Sequence, residues 1–422
     1  MTFNKFMMMT KMSLSKGVMS NLFTVYKLYS SDSNFSLTKY FKMMIKMVKG
    51  EKIVKHEGRY IVSTFMPPLP SKAFITNAVA VDDLTRVFTR QIQADRTAPI
   101  SMYLCLTNKC PNNCLYCSSK NRDEGRELTT DEWKNTIREL QDMNTSIIGL
   151  TGGEPMVRED IYDIVSSIDD RSSSILFTSG FNMTIDKATK LKQCGLFGIG
   201  ISLDSQNKKE HNKHRGDEKA FDYALDALKV SKEAGLYTMV QTVILKKDID
   251  ENQLFKLFEL AKQYGANEVK ILEPILTGNL LNVENLNEIL YNDNDRKKLI
   301  AIQHEANRIK SLPKITTFAY TESKEKFGCG AGTQHSYISA DGHLYPCDFV
   351  PMNFGNVKEE GIRGLWKEMN MVIGNPKIGC FAQKVNRKIV IESNGKLPLD
   401  KKESIAICEK NQSKEMPDYY IM

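Results

Sequence analysis

Three cysteines with the spacing C-x3-C-x2-C are the first residues of this chain whose types and spacing indicate chemistry: Cys110, Cys114 and Cys117. Three thiolates within a short loop can ligate three irons of a cubic 4Fe-4S cluster and leave the fourth iron without a protein ligand. Such an open iron can bind a ligand that is also a substrate. Zinc is the alternative, but a closed zinc site needs a fourth Cys or His, and none follows close by in the sequence.

A glycine-rich turn, Thr151-Gly152-Gly153-Glu154-Pro155, follows the next apolar run. Two adjacent glycines let a ligand approach the backbone closely, and the carboxylate of Glu154 can accept hydrogen bonds from an ammonium group. Polar residues also follow a later apolar run, in Ile201-Ser202-Leu203-Asp204. All three sets come after the carboxyl ends of predicted strands, which is where α/β barrels and open sheets build their sites.

The elements that must position these residues alternate between strand and helix patterns from residue 100 to about 278. The apolar runs that predict buried parallel strands are Ile100 to Leu106, Ser146 to Leu150, Ser174 to Thr178, Phe197 to Leu203, Tyr237 to Leu245 and Glu268 to Glu273. The helical patterns between them are Thr130 to Met143, Glu159 to Ile168, Ile185 to Cys194, Phe221 to Ala234 and Glu251 to Tyr264. This series predicts an α/β fold, either a doubly wound sheet or a partial barrel.

The region from Ile100 to Gly278 resembles the radical S-adenosylmethionine (radical SAM) enzymes. The cysteine triplet is followed, in the order of that family, by Gly152-Gly153-Glu154-Pro155, Ile201-Ser202-Leu203-Asp204 and His211-x3-Arg215-Gly216. The resemblance implies a partial (β/α)6 TIM-like barrel whose 4Fe-4S cluster binds S-adenosyl-L-methionine at its open iron. It also implies reductive cleavage to a 5'-deoxyadenosyl radical that takes hydrogen from the substrate. Thr178-Ser179-Gly180 departs from the Thr-Asn-Gly often seen in relatives, so no role is assigned to Ser179.

The same resemblance implies roles for individual residues beside the metal ligands Cys110, Cys114 and Cys117. Gly152 and Gly153 would be part of the S-adenosylmethionine-binding site, Glu154 would hold the amino group of S-adenosylmethionine, and Ser202 would bind its ribose or carboxylate. Tyr116 would lie beside the adenine. Arg215 would assist Ser202, and the alternative for Arg215 is a solvated surface charge. No catalytic residue is assigned.

A second set of cysteines lies downstream, where Cys329 and Cys347 enclose an alternating hairpin with an Asp-Gly turn, Tyr337 to Tyr345. The segment resembles the opening of the SPASM extensions and shorter twitch extensions of this family, which hold auxiliary clusters. The tight multi-cysteine run of a full SPASM domain is missing, and Cys380 and Cys408 follow instead. We therefore predict one auxiliary 4Fe-4S cluster held by these four cysteines. A free thiol at Cys408 is the alternative.

Three domains are predicted: a basic N-terminal extension over residues 1–99, the radical SAM partial barrel over 100–315, and a small C-terminal α+β twitch- or SPASM-like iron-sulfur domain over 316–422. Residues 1 to 60 hold eleven basic and three acidic residues, and the whole chain of 422 residues carries +7, so the rest carries about −1. This local charge argues against a nucleic-acid partner, which usually requires basic patches on the catalytic body. Residues 1 to 35 show little periodicity and are predicted to be a loosely ordered extension.

An amphipathic helix with a Lys-rich face is predicted over residues 37–49. It either docks on its own protein or makes peripheral contact with an anionic membrane surface. No run of 18 apolar residues predicts a membrane-spanning helix. Nine cysteines without a recognisable export signal predict a reducing, cytoplasmic compartment.

A fully ligated auxiliary cluster would transfer electrons, which favours a redox-changing modification. The leading predicted substrate is a ribosomally made peptide or protein, and the alternative is a lipid or small metabolite modified at a membrane surface. A low-potential electron donor such as ferredoxin or flavodoxin is the expected partner. A binding scaffold with structural clusters is a third, non-enzymatic hypothesis, but Glu154 beside two glycines argues against it because a structural cluster needs no ligand-binding turn.

Overall fold

The computed structural model describes residues 3–63, 65–120 and 125–421, without the side chains of residues 3–6. The strands within these ranges are β1 (Val54–His56), β2 (Arg59–Ile61), β3 (Ser101–Cys105), β4 (Ile147–Thr151), β5 (Ser173–Thr178), β6 (Gly198–Ser202), β7 (Tyr237–Val243), β8 (Glu268–Leu272), β9 (Lys314–Thr317), β10 (His335–Ile338) and β11 (Leu344–Tyr345). β1 and β2 form a separate antiparallel hairpin. The other nine form one sheet in the order β11-β10-β3-β4-β5-β6-β7-β8-β9.

The α-helices of the described residues surround this sheet. They are α1 (Phe3–Ser13), α2 (Lys16–Ser30), α3 (Leu37–Val48), α4 (Lys72–Ala78), α5 (Val87–Ile92), α6 (Thr130–Asp142), α7 (Ile161–Ser166), α8 (Ile185–Gln193), α9 (Lys208–Arg215), α10 (Ala220–Glu233), α11 (Glu251–Gln263), α12 (Asp293–Ala306), α13 (Phe318–Thr321), α14 (Val357–Glu360), α15 (Ile362–Ile373), α16 (Phe381–Glu392) and α17 (Lys401–Lys410).

Seven strands, β3 to β9, lie parallel in chain order, each joined to the next through at least one helix. Every residue of β5 and β8 is buried, as expected for parallel strands that are covered on both faces. Thr129 and Glu132 form the predicted capping box at the start of α6. The six predicted strands and five predicted helices are confirmed with shifts of a few residues at their ends, and with them the α/β partial barrel.

The C-terminal region continues the barrel sheet. β10 pairs in parallel with β3, with Ser101 opposite His335, while β11 closes an antiparallel hairpin with β10. On the other side of the sheet, β9 spans the predicted boundary between residues 315 and 316. The three predicted domains stay a prediction, and the sheet runs without interruption across the second boundary.

The prediction of a loosely ordered segment at residues 1 to 35 is wrong, since α1 and α2 occupy most of it. Their apolar side chains join a core shared with α3 and α5. α3 docks on this core through Tyr40, Met43 and Met47, while Phe41 and Ile45 are more than half exposed. Within the described ranges, no helix is both long enough and apolar enough to cross a membrane. Contact of this helix with a membrane surface stays a prediction.

A buried charge cluster joins the N-terminal region to the barrel. The Glu51 carboxylate accepts hydrogen bonds from Lys314 Nζ at 2.5 Å and lies 3.2 Å from Lys326 Nζ. All three side chains are almost completely buried. Burial raises the pKa of Glu51, but the two ammonium groups outweigh burial and hold it below its ordinary value.

Candidate active site

The loop that carries Cys110, Cys114 and Cys117 follows β3. Three neighbouring segments, which we call clamps, hold its backbone by hydrogen bonds. The first clamp is the glycine-rich turn after β4, where Gly153 N–H donates to Thr107 O at 2.6 Å and Glu154 N–H donates to Lys109 O at 2.8 Å. Because these bonds use main-chain atoms, they fix the path of the loop and leave the thiols available as ligands.

The other two clamps come from α9 and from the segment after β8. Asn113 N–H donates to Arg215 O at 3.1 Å, at the carboxyl end of α9. Asn279 donates from its side chain to Cys114 O at 2.7 Å and from its backbone to Cys117 O at 3.0 Å. Three segments that are distant in sequence therefore meet at one eight-residue loop.

The glycines of these clamps are needed for close backbone approach. A Cβ on Gly152, whose φ is 151°, would lie 2.5 Å from Thr107 O, and a Cβ on Gly153 would collide with the Lys109 carbonyl. Gly278 has a φ of 54°, and a Cβ there would collide with the Cys117 carbonyl. The Gly-Gly pair thus packs the turn against the cysteine loop, while its predicted contact with S-adenosylmethionine stays a prediction.

The three thiols are half-buried and close enough to influence one another. Burial raises the pKa of Cys110 to about 12, and neighbouring thiolates and Glu154 raise it further. Burial also raises the pKa of Cys114, against the opposing effect of the Arg215 guanidinium, whose Nη1 lies 3.8 Å from Cys114 Sγ. Three sulfur donors in one loop, next to a cation, fit a 4Fe-4S cluster because the metal charge stabilises the thiolates.

Glu154 is completely buried, and its carboxylate joins the turn after β4 to the end of β5. One oxygen accepts from Met156 N–H at 3.0 Å and Thr178 Oγ1 at 2.7 Å; the other accepts from Ser179 N–H at 2.7 Å and Ser179 Oγ at 2.6 Å. These four bonds use all the lone-pair positions of the carboxylate. The predicted acceptance from an ammonium group would require one of them to be exchanged, and it stays a prediction.

Arg215 is buried and paired, so the surface-charge alternative is wrong. Its Nε and Nη2 donate to Asp204 at 2.7 and 3.0 Å, and Asp204 also accepts from Val243 N–H at 3.0 Å and from the hydroxyl of Tyr116. Burial raises the pKa of Asp204, but the charge of Arg215 outweighs it and leaves the pKa lowered. Tyr116 lies beside the guanidinium, so it anchors the cysteine loop whether or not it also contacts an adenine. Within the described part of the chain, the half-buried Ser202 hydroxyl makes no hydrogen bond.

Three of the four predicted auxiliary cysteines line one cavity: Cys329, Cys347 and Cys380. Two backbone hydrogen bonds with Lys377, at 2.7 and 3.0 Å, fix the position of Cys329. Lys377 lies shortly before Cys380, which stands at the start of α16. The neighbouring thiol of Cys380 lowers the pKa of Cys329 to about 6. The β10–β11 hairpin brings Cys347 to the same cavity, as the sequence predicted.

Cys408 is not among the residues that line this cavity. It lies in α17, is 1% exposed, and its Sγ is 3.7 Å from Met352 Sδ within the hydrophobic core. Burial raises the pKa of Cys408 to about 12, so it behaves as a neutral, apolar thiol. This placement agrees with the alternative of a free thiol and does not support Cys408 as the fourth ligand.

The cavity has a volume of about 120 Å³ and extends from the auxiliary cysteines into the barrel. Lys270, in the middle of β8, is 2% exposed and faces this space. Its Nζ lies 4.6 Å from the ring centre of Phe65 and 5.1 Å from that of Phe318, and it donates to Tyr103 Oη at 3.4 Å. No carboxylate of the described residues lies within 4 Å of it, and burial lowers its pKa to about 8.

Sequence reasoning missed three residues of these two regions. Ser179 could not be found because its hydrogen bonds with Glu154 depend on the packing of two strand ends. Lys270 could have been identified as a candidate from the sequence, because a lysine inside a buried parallel strand is unusual. Glu322, which also lines the cavity, stands after α13 with no local motif around it.

Comparisons with known proteins agree with this arrangement. A profile of the Radical SAM superfamily matches residues 104–261, and a profile of the SPASM iron-sulfur cluster-binding domain matches residues 329–385. A protein named AdoMet-dependent heme synthase from Methanosarcina barkeri is 29% identical over 282 residues, which cover 62% of this chain and 80% of the relative. A protein of the same name from Nitratidesulfovibrio vulgaris is 24% identical over 286 residues, covering 62% and 77%.

Two solved structures share the fold. Streptococcus suis SuiB bound to the precursor peptide SuiA superposes with a TM-score of 0.55 and 15% identity, covering 68% of this chain and 70% of SuiB. The structure of anSMEcpe with bound AdoMet gives 0.51 and 18%, covering 64% and 81%. At these identities the likeness concerns the fold.

Proposed function

We propose that this chain, which belongs to the radical SAM superfamily and carries a SPASM domain, oxidises a carboxylate-bearing small molecule enclosed in its cavity. The S-adenosylmethionine and iron-sulfur clusters of such an enzyme supply one-electron chemistry that ends in hydrogen abstraction from an unactivated carbon. The protein must therefore hold the substrate in a fixed pose and exclude water. The observation that carries the proposal is the buried Lys270 ammonium in the wall of the cavity, which has no carboxylate of the described residues within 4 Å.

Lys270 is an unusual residue to bury. An ammonium away from water is stable only with a partner, and here the groups in direct contact are one neutral hydroxyl and aromatic rings, while the carboxylates of Glu268 and Asp348 act on it from beyond 4 Å. A substrate carboxylate would supply the missing charge and a short charge-assisted hydrogen bond.

The relatives supply a first candidate for this ligand. Both curated relatives quoted above are named AdoMet-dependent heme synthase. Haem is a flat aromatic macrocycle that bears carboxylates, and the cavity offers aromatic rings and one ammonium group. A haem-type tetrapyrrole is therefore the substrate class that we propose to test first.

The peptide substrate predicted from the sequence has weaker support. Its structural parallel is SuiB with its precursor peptide, at 15% identity. A buried ammonium among aromatic rings in the cavity wall favours an anionic aromatic ligand. The peptide hypothesis becomes the alternative outcome of the experiment below.

The other proposed roles concern the chain's own residues. Cys110, Cys114 and Cys117 would ligate the S-adenosylmethionine-binding cluster, with the Asp204–Arg215 pair fixing their loop. Cys329, Cys347 and Cys380 would hold the auxiliary cluster at the end of the cavity.

The test compares the anaerobically purified protein with Lys270→Met and, as a matched control, Lys256→Met, which removes an exposed lysine. The probe is haem, titrated by its absorbance. A hydrogen bond to a charged group contributes about 1.5–3 kcal/mol, so K270M should bind haem about 10- to 150-fold more weakly, while K256M should bind like the wild type. Equal affinity in all three proteins would remove the support for an anionic substrate.

A second measurement distinguishes the substrate classes. The reduced protein is incubated with S-adenosylmethionine and either a carboxylate-bearing iron porphyrin or a panel of Cys-containing peptides, and 5'-deoxyadenosine is quantified. Stimulation by the porphyrin, lost in K270M, supports the proposal. Stimulation by peptides alone, unchanged in K270M, would replace it with the peptide hypothesis.

A further inference from the structure

An apolar and basic surface lies on the helices of the N-terminal region. Five large apolar side chains of α2 and α3 are between 47% and 64% exposed, and we call them the N-terminal face: Met19, Phe23, Leu37, Phe41 and Ile45. Seven of the thirteen large apolar residues that are exposed in the described part of the chain belong to its first 45 residues. The exposed apolar area is therefore concentrated in one region, as is typical of an interaction surface.

The N-terminal face is one surface although its residues belong to two helices. Its three members on α3 stand four residues apart, as do its two members on α2, so each group follows one side of its helix. The two helices are joined by a chain of aromatic rings in the order Phe23, Tyr26, Tyr40 and Phe41. Successive ring centres in this chain are 6.3, 6.4 and 6.1 Å apart. α2 and α3 therefore present their apolar side chains to solvent side by side.

The charge around the N-terminal face is positive. Residues 7–50 contain seven lysines and a single acid, Asp32, which is buried and hydrogen-bonded within the protein. One of these lysines, Lys49, lies 3.6 Å from Glu325. Within the described ranges, no carboxylate lies within 4 Å of the exposed lysines Lys16, Lys27 and Lys42. The apolar side chains are thus bordered by ammonium groups that are open to an anionic partner.

A partner for this face must combine an apolar medium with negative charge. A second copy of the chain would supply the apolar part, but it would bring its own lysines against those of the first copy. The surface of an anionic lipid bilayer supplies both, because apolar side chains enter the acyl boundary while lysines bind the headgroups. Lys27 Nζ already lies 4.6 Å from the ring centre of Phe23, so a charge stands directly beside an apolar side chain of the face.

The N-terminal face also lies close to the cavity. Lys46, in α3, donates from its Nζ to Asp418 O at 2.6 Å and so holds the C-terminal segment against this helix. Tyr419 and Tyr420 of the same segment line the cavity. A surface bound to the N-terminal face is therefore one short segment away from the cavity.

We propose that the N-terminal face docks the protein on an anionic membrane surface. Phe23, Phe41 and Ile45 enter the region between the headgroups and the acyl chains, and the surrounding lysines bind the phosphates of the headgroups. α2 and α3 lie in the plane of that surface. The docking does not depend on which substrate the cavity binds, so protein and lipid alone are sufficient to test it.

The experiment is co-sedimentation of the full-length, anaerobically purified protein with phosphatidylcholine vesicles that contain or lack phosphatidylglycerol. The test variant combines Phe41→Ser with Ile45→Ser. The control combines Met371→Ser with Ile391→Ser, which removes two exposed apolar side chains of α15 and α16. The wild type and the control should bind anionic vesicles equally well. The test variant should bind about 10- to 100-fold more weakly, because two partly exposed apolar side chains no longer leave water.

The contribution of charge is measured separately. Replacing Lys16, Lys27 and Lys42 by glutamine leaves the apolar residues in place but removes three exposed charges. This variant should lose the preference of the wild type for anionic over neutral vesicles, and binding of the wild type should weaken as the salt concentration rises. Circular dichroism and iron content should match the wild type in every variant, because all the replaced side chains are exposed.

Two results would overturn the proposal in distinguishable ways. If the wild type stays in the supernatant, or if the Phe41–Ile45 variant and the control variant bind vesicles alike, the N-terminal face does not bind lipid. If the wild type binds no vesicles but is a dimer in analytical ultracentrifugation, and the Phe41–Ile45 variant is a monomer, the face belongs to a second copy of the chain.

Discussion

Replacing Lys270 by methionine should make the protein more stable at neutral pH. Burial lowers the pKa of Lys270 from 10.5 to about 8, which means that the folded state binds this proton less tightly than the unfolded chain does. Because each tenfold difference in proton affinity is worth about 1.4 kcal/mol, the buried charge costs about 3 kcal/mol of folding free energy below pH 8. The side chain is 2% exposed, so solvent screening reduces this value little.

The change of folding stability with pH tests whether the charge of Lys270 is the cause. Between pH 8 and 10.5 the unfolded chain holds the proton and the folded protein has released it, so the stability of the wild type rises with pH relative to K270M. K270M should therefore be more stable by up to about 3 kcal/mol at pH 7, and the difference should disappear near pH 10.5.

Anaerobic urea unfolding at pH 7, 9 and 10.5 measures this difference, since groups that titrate equally in both proteins cancel. The exposed Lys256→Met serves again as the control and should show no trend with pH. A K270M protein that is less stable at pH 7, or a difference independent of pH, would refute the reasoning that Lys270 is retained at a cost to stability.

Three further substitutions test the framework of the site. Asp204→Asn leaves the buried Arg215 guanidinium without its carboxylate, so we expect a loss of about 3–5 kcal/mol in urea unfolding, and a loss below 1 kcal/mol would contradict the pairing. Glu51→Ala removes the carboxylate that faces the buried Lys314 and Lys326 ammonium groups and should cost a similar amount, whereas a neutral effect would show that water reaches them. Gly278→Ala forces a methyl group into the Cys117 carbonyl, and the iron content of the purified protein should fall; unchanged iron would mean that this clamp is dispensable.

The barrel could be predicted from the sequence because its evidence is local. Buried strands such as Tyr237–Val243 are continuous apolar runs, and the capping box at Thr129 marks a helix start by two side chains three residues apart. The motifs follow strand ends, so their convergence at one edge of the sheet was also predictable. The N-terminal helices were missed because Phe3–Ser13 and Lys16–Ser30 bury their apolar residues on other parts of the chain.

The roles of individual residues were harder to predict because they depend on pairings between distant segments. Arg215 has the same sequence context whether it is solvated or buried, and its partner Asp204 lies eleven residues away. Cys408 looked like a fourth ligand because a count of cysteines contains no distances. Glu322 was missed for the same reason, since the hydrogen bond from Gly379 N–H to its carbonyl joins segments that are far apart in the sequence.

The pairing of β10 with β3 fixes the geometry between the two cysteine regions. β3 leads directly into the Cys110–Cys117 loop, and β10 lies between Cys329 and Cys347, with Leu104 opposite Ile338 in the shared ladder. Both regions therefore depend on adjacent strands of one hydrogen-bonded sheet. Electron tunnelling weakens steeply with separation, so a rigid spacer of this kind would give a constant coupling between two redox centres without any hinge.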